Sequence, residues 1–442
     1  MPVKRSVLRR EQTEMSQREI KVDYMARVEG ETALDINIQD GQVTKLKLRL
    51  YEPPRFFQAF LVGRHYEEVP DLVSRICGIC PVAHMVASLQ ALDQALGIIP
   101  SAETRHLREL LALSQWIQSH ALHTYMLAAP DYLGYPSVVE MVPEHGALVE
   151  QALRLKRLGN DLTALIGGRE IHPVTAVIGG FTHVPDREAV KAMAARLKAA
   201  KKDVDDMVDL AASLPLPKFS RDLECVSLKD DNQYPVIKGY MASNKGIHAT
   251  KEEYRQYIQE RHIDYSNALF STVKNRASFM VGPLSRINQN FDLLSPDAQV
   301  AAKRNNLRYP SSNPFDSIPA RALETMWAVD RCIELLEGLK LKADQPTIKA
   351  TAGVGYGLNE APRGLLYHYY KLNKQGLIED ADIVSPTAHN AHNIEEDLRQ
   401  MVPGILDLND EDLTMRCEML VRAYDPCFSC SVHFLKTNIQ RS

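Results

Sequence analysis

Two cysteine pairs near opposite ends of the chain constrain its fold more than any other feature. The first pair lies in RICGIC at residues 75–80, and the second lies in DPCFSC at residues 425–430 of a 442-residue chain. A two-residue spacer lets both thiolates of a pair reach one metal ion, and thiolates select soft or borderline metals. Joining pairs that are 350 residues apart closes a very large loop. The spacing therefore predicts one site that is assembled inside a completed fold, rather than a small stapled module.

The remaining cysteines do not suggest a disulfide framework. Cys225, Cys332 and Cys417 are isolated, and an odd, sparse set in a long chain is unlike a disulfide-rich secreted domain. Free cysteine is usually a small buried hydrophobic residue. By contrast, a histidine follows each pair, His84 after the first and His433 after the second. Only the two pairs therefore carry a signal for chemistry.

The composition is that of an ordinary soluble globular protein. Hydrophobic residues make up 45% of the chain, charged residues 24%, and the net charge is −4, so nothing suggests binding to nucleic acid or to an anionic membrane. No stretch approaches the roughly 20 apolar residues of a membrane helix, and the basic N-terminal stretch lacks the apolar core of a signal peptide. We therefore expect a cytoplasmic protein, exported only if a partner carried the signal.

The hydrophobic pattern predicts a mainly α-helical, α+β fold, a multihelical bundle with a small N-terminal antiparallel sheet. Alternation around Asp40-Gly41 predicts an antiparallel hairpin within residues 1–53. Helical periodicity predicts one helical core over 54–215, with the first cysteine pair, and another over 316–433, with the second. Residues 216–315 are richer in Asn, Pro, Ser and Tyr, and we expect an irregular inserted subdomain there.

The residues around the cysteines resemble one protein family. RICGICPVAH (75–84) and DPCFSCSVH (425–433) are similar to the two cysteine signatures of nickel–iron hydrogenase large subunits. Further segments resemble the family in the right order: ARVEGE (26–31), PPRFFQAFLVGR (53–64), EAPRGLLYH (360–368) and VSPTAHN (384–390). The resemblance covers essentially the whole chain and implies the fold of those subunits. Because all four cysteines are present, it indicates the catalytic branch rather than the inert relative in respiratory complex I.

The resemblance implies a nickel–iron centre held by the four cysteines. Cys77 and Cys427 would be terminal nickel ligands, while Cys80 and Cys430 would bridge nickel to an iron that carries carbon monoxide and cyanide. A nickel that splits H₂ needs sulfur donation, an open coordination position and a nearby base, which a thiolate can supply. The implied reaction is H₂ ⇌ 2H⁺ + 2e⁻.

The resemblance also assigns a proton relay and a hydrogen-bond donor. His84 lies one helical turn beyond Cys80 and would donate to the bridging sulfur. Glu29, in RVEG, would be the first proton relay, because burial beside the cluster favours a neutral carboxyl. The histidine that usually follows this motif in the family is replaced by Glu31.

A polar canopy over the metal centre is implied as well. Arg363, in EAPRG, would lie over the open face and donate to one cyanide, as a rigid multi-donor guanidinium can. Thr387 would hold the other cyanide, and Pro362 and Asp425 would complete the canopy. Ser119 takes the position where the family often has a second aspartate.

A buried magnesium-like ion near the carboxyl end is a further implication. His433 and the backbone carbonyl of Ile383 would hold it, and Gln58 takes the place of a common glutamate ligand. An amide oxygen can coordinate a hard cation but brings no charge. The ion site is therefore either altered or weak.

The resemblance is closest to the soluble cytoplasmic branch that exchanges electrons with NAD(P). The chain has no further cysteine set for an iron–sulfur cluster and no Gly-rich nucleotide loop, so partners must carry the electrons. We expect a small subunit with iron–sulfur clusters, an NAD(P)-linked diaphorase with flavin, and nickel-insertion proteins, but no nucleic acid. A maturation protease would cut after His433 and remove residues 434–442.

Two other classes of protein stay open. A non-catalytic electron-coupling subunit, as in complex I, would not retain the four cysteines together with Arg363 and Glu29. A structural zinc protein could use the same thiolates, and zinc without nickel in elemental analysis would favour it.

Overall fold

The structure, a computed structural model, describes residues 17–53 and 55–432. A three-stranded antiparallel sheet lies at the start of this part of the chain. Its strands are β1 (Gln17–Val22), β2 (Thr32–Gln39) and β3 (Gln42–Leu50), hydrogen-bonded in that order. Asp40 and Gly41 connect β2 to β3 with φ of 51° and 76°, which is the backbone of a type I′ hairpin turn. The predicted hairpin is confirmed, and β1 extends it by one strand.

Helices dominate the segment that follows. Ser101 and Asp186 cap two of them, because each side chain accepts a hydrogen bond from the backbone N–H three residues later. Near the end of the predicted helical core over 54–215, two consecutive helices are divided at Ala200. The elements up to residue 213 are α1 (Phe57–Leu61), α2 (Val69–Ser74), α3 (Pro81–Ala95), α4 (Ala102–Ala121), α5 (Ala129–Leu133), α6 (Val138–Gly167), the short pair β4 (Ala176–Val177) and β5 (Gly180–Phe181), α7 (Arg187–Ala199) and α8 (Lys201–Ser213).

Short strands and short helices alternate between residues 216 and 315. Two small antiparallel sheets form there, one of three strands in the order β6–β7–β8 and one that pairs β9 with β10. The elements are β6 (Val226–Lys229), β7 (Tyr240–Ser243), β8 (His248–Ala249), α9 (Tyr254–Tyr257), β9 (Ile258–Arg261), β10 (Phe270–Val273), α10 (Pro283–Asn290) and α11 (Pro296–Arg304). This composition is irregular, as expected, while the division of the chain into the predicted domains stays a prediction.

A third three-stranded antiparallel sheet lies within residues 316–432, in the segment that was predicted as helical core. It is built from β11 (Gly353–Ala361), β12 (Gly364–Leu372) and β13 (Ile378–Val384). Ala361 pairs with Gly364, so Pro362 and Arg363 form the two-residue turn of a hairpin. The helices around it are α12 (Ser317–Gly338), α13 (Pro386–Met401) and α14 (Asp410–Ala423).

Alternate glycines of β11 bring this sheet into direct contact with α3. A Cβ atom on Gly353, Gly355 or Gly357 would lie within 2.0, 1.8 and 1.9 Å of the carbonyl oxygens of Ala95, Ala91 and Ala87. Only glycine allows such a close approach of strand and helix backbones. The contact holds the middle and the end of α3, the helix that begins just after the first cysteine pair, against the hairpin that carries Arg363.

Most of the buried apolar side chains form one continuous core. It runs from the N-terminal sheet through α3, α4 and α12 to α13 and α14, and it includes the four paired cysteines. Among the described residues, none of the helices is both long enough and apolar enough to cross a membrane. The cysteine pairs are therefore joined deep inside a completed fold, as their spacing predicts.

Candidate metal centre

The four paired cysteines meet in one buried cluster. The Sγ atoms of Cys77, Cys80, Cys427 and Cys430 all lie within 4.8 Å of one another, and each side chain is at most 5% exposed. Cys77 Sγ is 3.5 Å from Cys427 Sγ, and Cys80 Sγ is 3.3 Å from Cys430 Sγ. The first member of each motif thus faces the first member of the other, and the second faces the second.

Local backbone structure aims these thiols inward. Cys80 stands immediately before α3, which begins at Pro81, and the N–H groups of Ile79 and Cys80 donate to Cys77 Sγ at 3.2 and 3.3 Å. The second pair spans a single 3₁₀ turn, Phe428–Ser431, in which Cys430 N donates to Cys427 O at 3.1 Å. Backbone N–H groups that point at a sulfur stabilise its thiolate form.

The cluster favours a single negative charge in the absence of a cation. Hydrogen bonding by the other three thiols, Cys427 first, holds the pKa of Cys77 well below its usual range. Burial raises the pKa of Cys427 and of Cys430 well above theirs. Four thiolates packed this closely need bound metal cations, because only a cation offsets the charge repulsion and the desolvation.

Glu29 lies against the second pair, where the sequence predicts a proton relay. Its backbone pairs with Cys427 in an isolated parallel bridge, and Phe428 N donates to Glu29 O at 2.9 Å. Its Oε2 lies 3.0 Å from Cys427 Sγ and accepts from Ser429 N at 3.2 Å. Burial raises the pKa of Glu29, although hydrogen bonds from Cys427 and Ser429 oppose the rise. A carboxyl whose neutral form is favoured can exchange a proton with the sulfur.

Arg363 projects from the tip of the β11–β12 hairpin toward the thiols. Its Nε donates to Asp425 O at 2.8 Å, and its Nη2 contacts Asp425 Oδ1 at 3.0 Å. Burial opposes its charge, but Asp425 and the cysteines together raise the pKa of Arg363 well above its usual range. The Nη1 atom of Arg363, the Oδ2 atom of Asp425 and the hydroxyl of Ser119 are buried and have no hydrogen-bond partner among the described residues.

These unpaired atoms fit a polar ligand in the space beside the cysteines. A buried donor without a partner costs about 1–3 kcal/mol, so a structure that retains one is suited to a group that accepts its hydrogen bond. Thr387, in the first turn of α13, accepts from Cys427 N at 2.8 Å, which leaves its own hydrogen free to donate. Pro362 forms the other half of the Arg363 turn. The donor set therefore fits a thiolate-bound metal centre that carries acceptor ligands.

His84 contacts a second buried histidine, His368. Its Nδ1 is 3.1 Å from His368 Nε2, and His368 Nδ1 is 2.6 Å from the hydroxyl of Tyr370. Burial lowers the pKa of His84 to about 4, so the ring is neutral near pH 7. The hydrogen bond predicted from His84 to a bridging sulfur stays a prediction.

Gln58 and Ile383 are brought together as the sequence predicts. Gln58 lies in α1, and its Nε2 donates to Ile383 O at 3.1 Å and approaches Asp382 Oδ1 at 3.3 Å. Arg255 pairs with the same aspartate at 2.7 Å. A cation on the Ile383 carbonyl requires the Gln58 amide to turn its oxygen inward. His433, the third predicted ligand, lies outside the described residues.

A buried ion network that sequence reasoning missed supports the Arg363 turn. Arg286 pairs with both oxygens of Glu324 at 2.6 and 2.7 Å and with Glu360 at 3.0 Å. The same guanidinium donates to the backbone carbonyls of Ala361 and Pro362 at 2.9 Å each. Arg286 and Glu324 are isolated charges in the sequence, whereas Glu360 begins the EAPRG segment. Only their common burial marks the three residues as a unit.

A second missed network ties the two ends of the chain together. Asp131, at the start of α5, binds the guanidinium groups of both Arg27 and Arg422. Arg27 lies two residues before Glu29, and Arg422 lies three residues before Asp425. This shared carboxylate therefore holds both segments that meet at Cys427.

Comparisons with known proteins agree with this geometry. The family model for nickel-dependent hydrogenase matches residues 55–153 and 281–433, more than half of the chain. Sulfhydrogenase 1 subunit alpha of Pyrococcus furiosus is 37% identical over 422 residues, 94% of this chain and 98% of that one. Sulfhydrogenase 2 subunit alpha of the same organism is 34% identical over 428 residues, 94% and 99% of the two chains. The crystal structure of an NAD⁺-reducing NiFe-hydrogenase matches with a TM-score of 0.84 at 27% identity, covering 95% of this chain and 100% of that one.

The buried four-thiol cluster in a helix-rich α+β fold defines the class of hydrogenase large subunits that bind nickel through cysteine. The chain belongs to the nickel-dependent hydrogenase family, and it is an oxidoreductase that acts on H₂. The resemblance to nickel–iron hydrogenase large subunits and the predicted fold class are confirmed.

Proposed function

We propose that this chain is the catalytic subunit that cleaves H₂ reversibly and heterolytically at a nickel–iron centre whose iron carries carbon monoxide and cyanide. The observation that carries the proposal is the convergence of four buried thiols beside Glu29 and Arg363. When bound, the metal centre supplies the Lewis acidity that polarises and splits H₂. The residues of the chain hold the metals, orient the ligands and move protons.

The proposed roles of the cysteines are those that the resemblance implies, and the way the thiols pair is compatible with them. Cys77 and Cys427, 3.5 Å apart, are the proposed terminal ligands of nickel. Cys80 and Cys430, 3.3 Å apart, are the proposed bridging ligands. Cys427 Sγ is also the proposed proton donor to Glu29, because it lies within hydrogen-bonding distance of that carboxyl, at 3.0 Å.

Arg363 and Thr387 are the proposed donors to the ligands of iron. The unpaired Nη1 of Arg363 supports this role, and so does the free hydrogen of the Thr387 hydroxyl. Asp425 fixes the guanidinium through two contacts, and Pro362 restricts the turn that presents it. We further propose a magnesium ion held by Gln58, the Ile383 carbonyl and His433.

Electrons leave the chain through partners in this proposal. The similarity to an NAD⁺-reducing NiFe-hydrogenase supports NAD(P) as the acceptor, reached through a small subunit with iron–sulfur clusters and a flavin-containing diaphorase. NAD(P) is a soluble intracellular cofactor, so the complex is placed in the cytoplasm. Nickel-insertion proteins and a protease that removes residues 434–442 complete the proposed partners, and that tail lies outside the described residues.

The metal content of the purified complex tests the proposal. We expect about one nickel and one iron per chain, because four cysteines supply the ligands of one such pair. Cys430→Ser should abolish both nickel binding and H₂-dependent dye reduction, while Cys332→Ala, a buried cysteine outside the cluster, should retain both. Zinc in place of nickel in an active preparation, or full activity in Cys430→Ser, would contradict the assignment.

A further inference from the structure

A chain of hydrogen bonds leads from the thiol cluster toward the surface through two residues that the proposed function does not use. Glu29 Oε2, 3.0 Å from Cys427 Sγ, accepts from Ser429 N at 3.2 Å. The Ser429 hydroxyl donates to Glu52 Oε2 at 2.8 Å. We infer that Ser429 and Glu52 carry the proton onward from Glu29, an inference that rests on the proposed role of Glu29.

Ser429 is placed between two carboxyl groups. Its backbone N–H donates to the Glu29 carboxyl at 3.2 Å, and its hydroxyl donates to the Glu52 carboxyl at 2.8 Å. A hydroxyl is both a donor and an acceptor. In the inferred relay, Ser429 Oγ accepts a proton from the adjacent Glu29 carboxyl while its own proton passes to the Glu52 carboxylate. Glu29 ends as a carboxylate, Glu52 ends as a carboxylic acid, and the serine is unchanged.

Gly30 keeps this route open. Its φ is +87°, and a Cβ atom there would lie 2.7 Å from Glu52 Oε2 and 2.8 Å from Ser429 N. Any side chain at this position would therefore push Glu52 away from Ser429. The absence of a side chain beside Glu29 is what allows the second carboxylate to approach.

Glu52 connects this buried pair to solvent. Its side chain is 16% exposed, and its Oε2 also accepts from Glu31 N at 3.1 Å. Arg55 lies 4.0 Å from its Oε1 and donates to the carbonyl of Ser429. Glu52 thus touches the buried serine with one oxygen and faces a half-exposed arginine with the other. A carboxylate that only held this loop in place would make the same contacts. The experiment therefore has to separate two roles of Glu52, proton transfer and structural support.

Glu52→Gln separates them, because glutamine retains the size and the acceptor oxygen but cannot carry the proton. In the complete metal-loaded complex we expect H₂/D₂O isotope exchange to fall by about tenfold or more, with nickel and iron contents unchanged. Glu31→Gln removes the same charge from an exposed neighbour and should exchange at the wild-type rate. A loss of nickel that parallels the loss of exchange would show a structural role and overturn the inference.

A second readout needs no catalysis. In the full chain before metal insertion, at a pH at which infrared spectroscopy detects the C=O band of a protonated Glu29 carboxyl, that band shifts when deuterium replaces the proton. Glu29→Gln identifies the band by removing it. After transfer into D₂O, the shift should be slower in Glu52→Gln than in wild type or Glu31→Gln. In Glu52→Ala, added formate should restore the rate, because a small acid can occupy the vacated space and carry the proton.

The outcomes distinguish this inference from the proposed function. Collapsed exchange in Glu29→Gln with wild-type behaviour of Glu52→Gln in both readouts would overturn the onward route and leave the role of Glu29 intact. Wild-type exchange in Glu29→Gln itself would refute the proposed relay at its first step. Slow exchange in both variants, with formate rescue in Glu52→Ala, is the expected result.

Discussion

At the scale of single residues, Gln58 places an uncharged amide where a carboxylate ligand would be expected in the proposed cation site. Its amide nitrogen donates to the Ile383 carbonyl, and the neighbouring Asp382 is already paired with Arg255. A hard cation at this carbonyl would gain an oxygen ligand from Gln58 but no charge. The proposed magnesium site should therefore be weak.

Gln58→Glu should strengthen that site. The variant supplies a carboxylate beside the Ile383 carbonyl, so we expect magnesium to raise its melting temperature more than it raises that of wild type. Gln90→Glu, on a half-buried glutamine of α3 outside this site, is the matched control. An unchanged response to magnesium in Gln58→Glu would show that residue 58 is not a ligand.

The site residues that stand in a recognisable sequence motif could be predicted from the sequence. The four cysteines, Glu29 and Arg363 stand in short segments with fixed spacing, and the structure brings them together. Glu52 and Ser429 were not predicted, because no motif pairs a glutamate at 52 with the serine inside DPCFSC, and their contact joins positions 377 residues apart. A hydrogen bond between distant polar side chains is a property of the fold and not of the local sequence.

At the scale of elements, one buried carboxylate fixes the relative position of two loops. Asp131 accepts from Arg422 Nε at 2.7 Å and also binds Arg27, and its side chain is 1% exposed. The arginines hold further backbone carbonyls, those of Ala26 and Leu127. The loop with Glu29 and the loop with Cys427 are therefore both attached to α5.

Asp131→Asn should destabilise the folded chain and weaken metal loading. Removing one charge of a buried pair costs about 3–5 kcal/mol, because two arginines lose their common anion. Thermal unfolding and nickel content measure the two effects. Asp161→Asn is the control, since Asp161 pairs with Arg196 at the surface, where such pairs contribute about 0–1 kcal/mol. Equal melting temperatures for the two variants would contradict this account.

Elements were predictable where their periodicity was clear and not where glycine interrupted it. The hairpin at Asp40-Gly41 and the long helices follow from their patterns. The sheet of β11–β13 was missed because GVGYG in β11 reads as a flexible segment. Those glycines are required by contact with the Ala87, Ala91 and Ala95 carbonyls of α3, and this contact is visible only once helix and strand are packed.

At the scale of the whole molecule, ionisable groups are buried along the same core that holds the metal centre. Glu395 of α13 is 5% exposed and joins the N-terminal sheet to the helical core. Its Oε1 accepts from Leu48 N of β3 at 2.8 Å, and the hydroxyl of Tyr265 donates to the same carboxyl at 2.9 Å. Burial raises the pKa of Glu395 to about 7, so folding and protonation are linked at this residue.

The linkage predicts how the free energy of unfolding responds to pH in Glu395→Gln. The unfolded glutamate has a pKa of about 4.3, so between about pH 4.3 and 7 the folded state holds a proton that the unfolded state has lost. The stability contribution of Glu395 therefore falls as pH rises through this window, whereas a glutamine is neutral in both states. Relative to wild type, the variant should gain on the order of 1–3 kcal/mol between pH 5 and pH 7.5.

Urea unfolding followed by circular dichroism at the two pH values measures this change. The lost acceptor oxygen of the variant costs about 1 kcal/mol at both values, so the difference between the two pH values isolates the effect of the proton. Glu396→Gln alters the same charge on the next residue, a half-buried side chain paired with Arg399, and serves as the matched control. A stability difference between Glu395→Gln and wild type that is the same at pH 5 and pH 7.5 would show that Glu395 folds without taking up a proton.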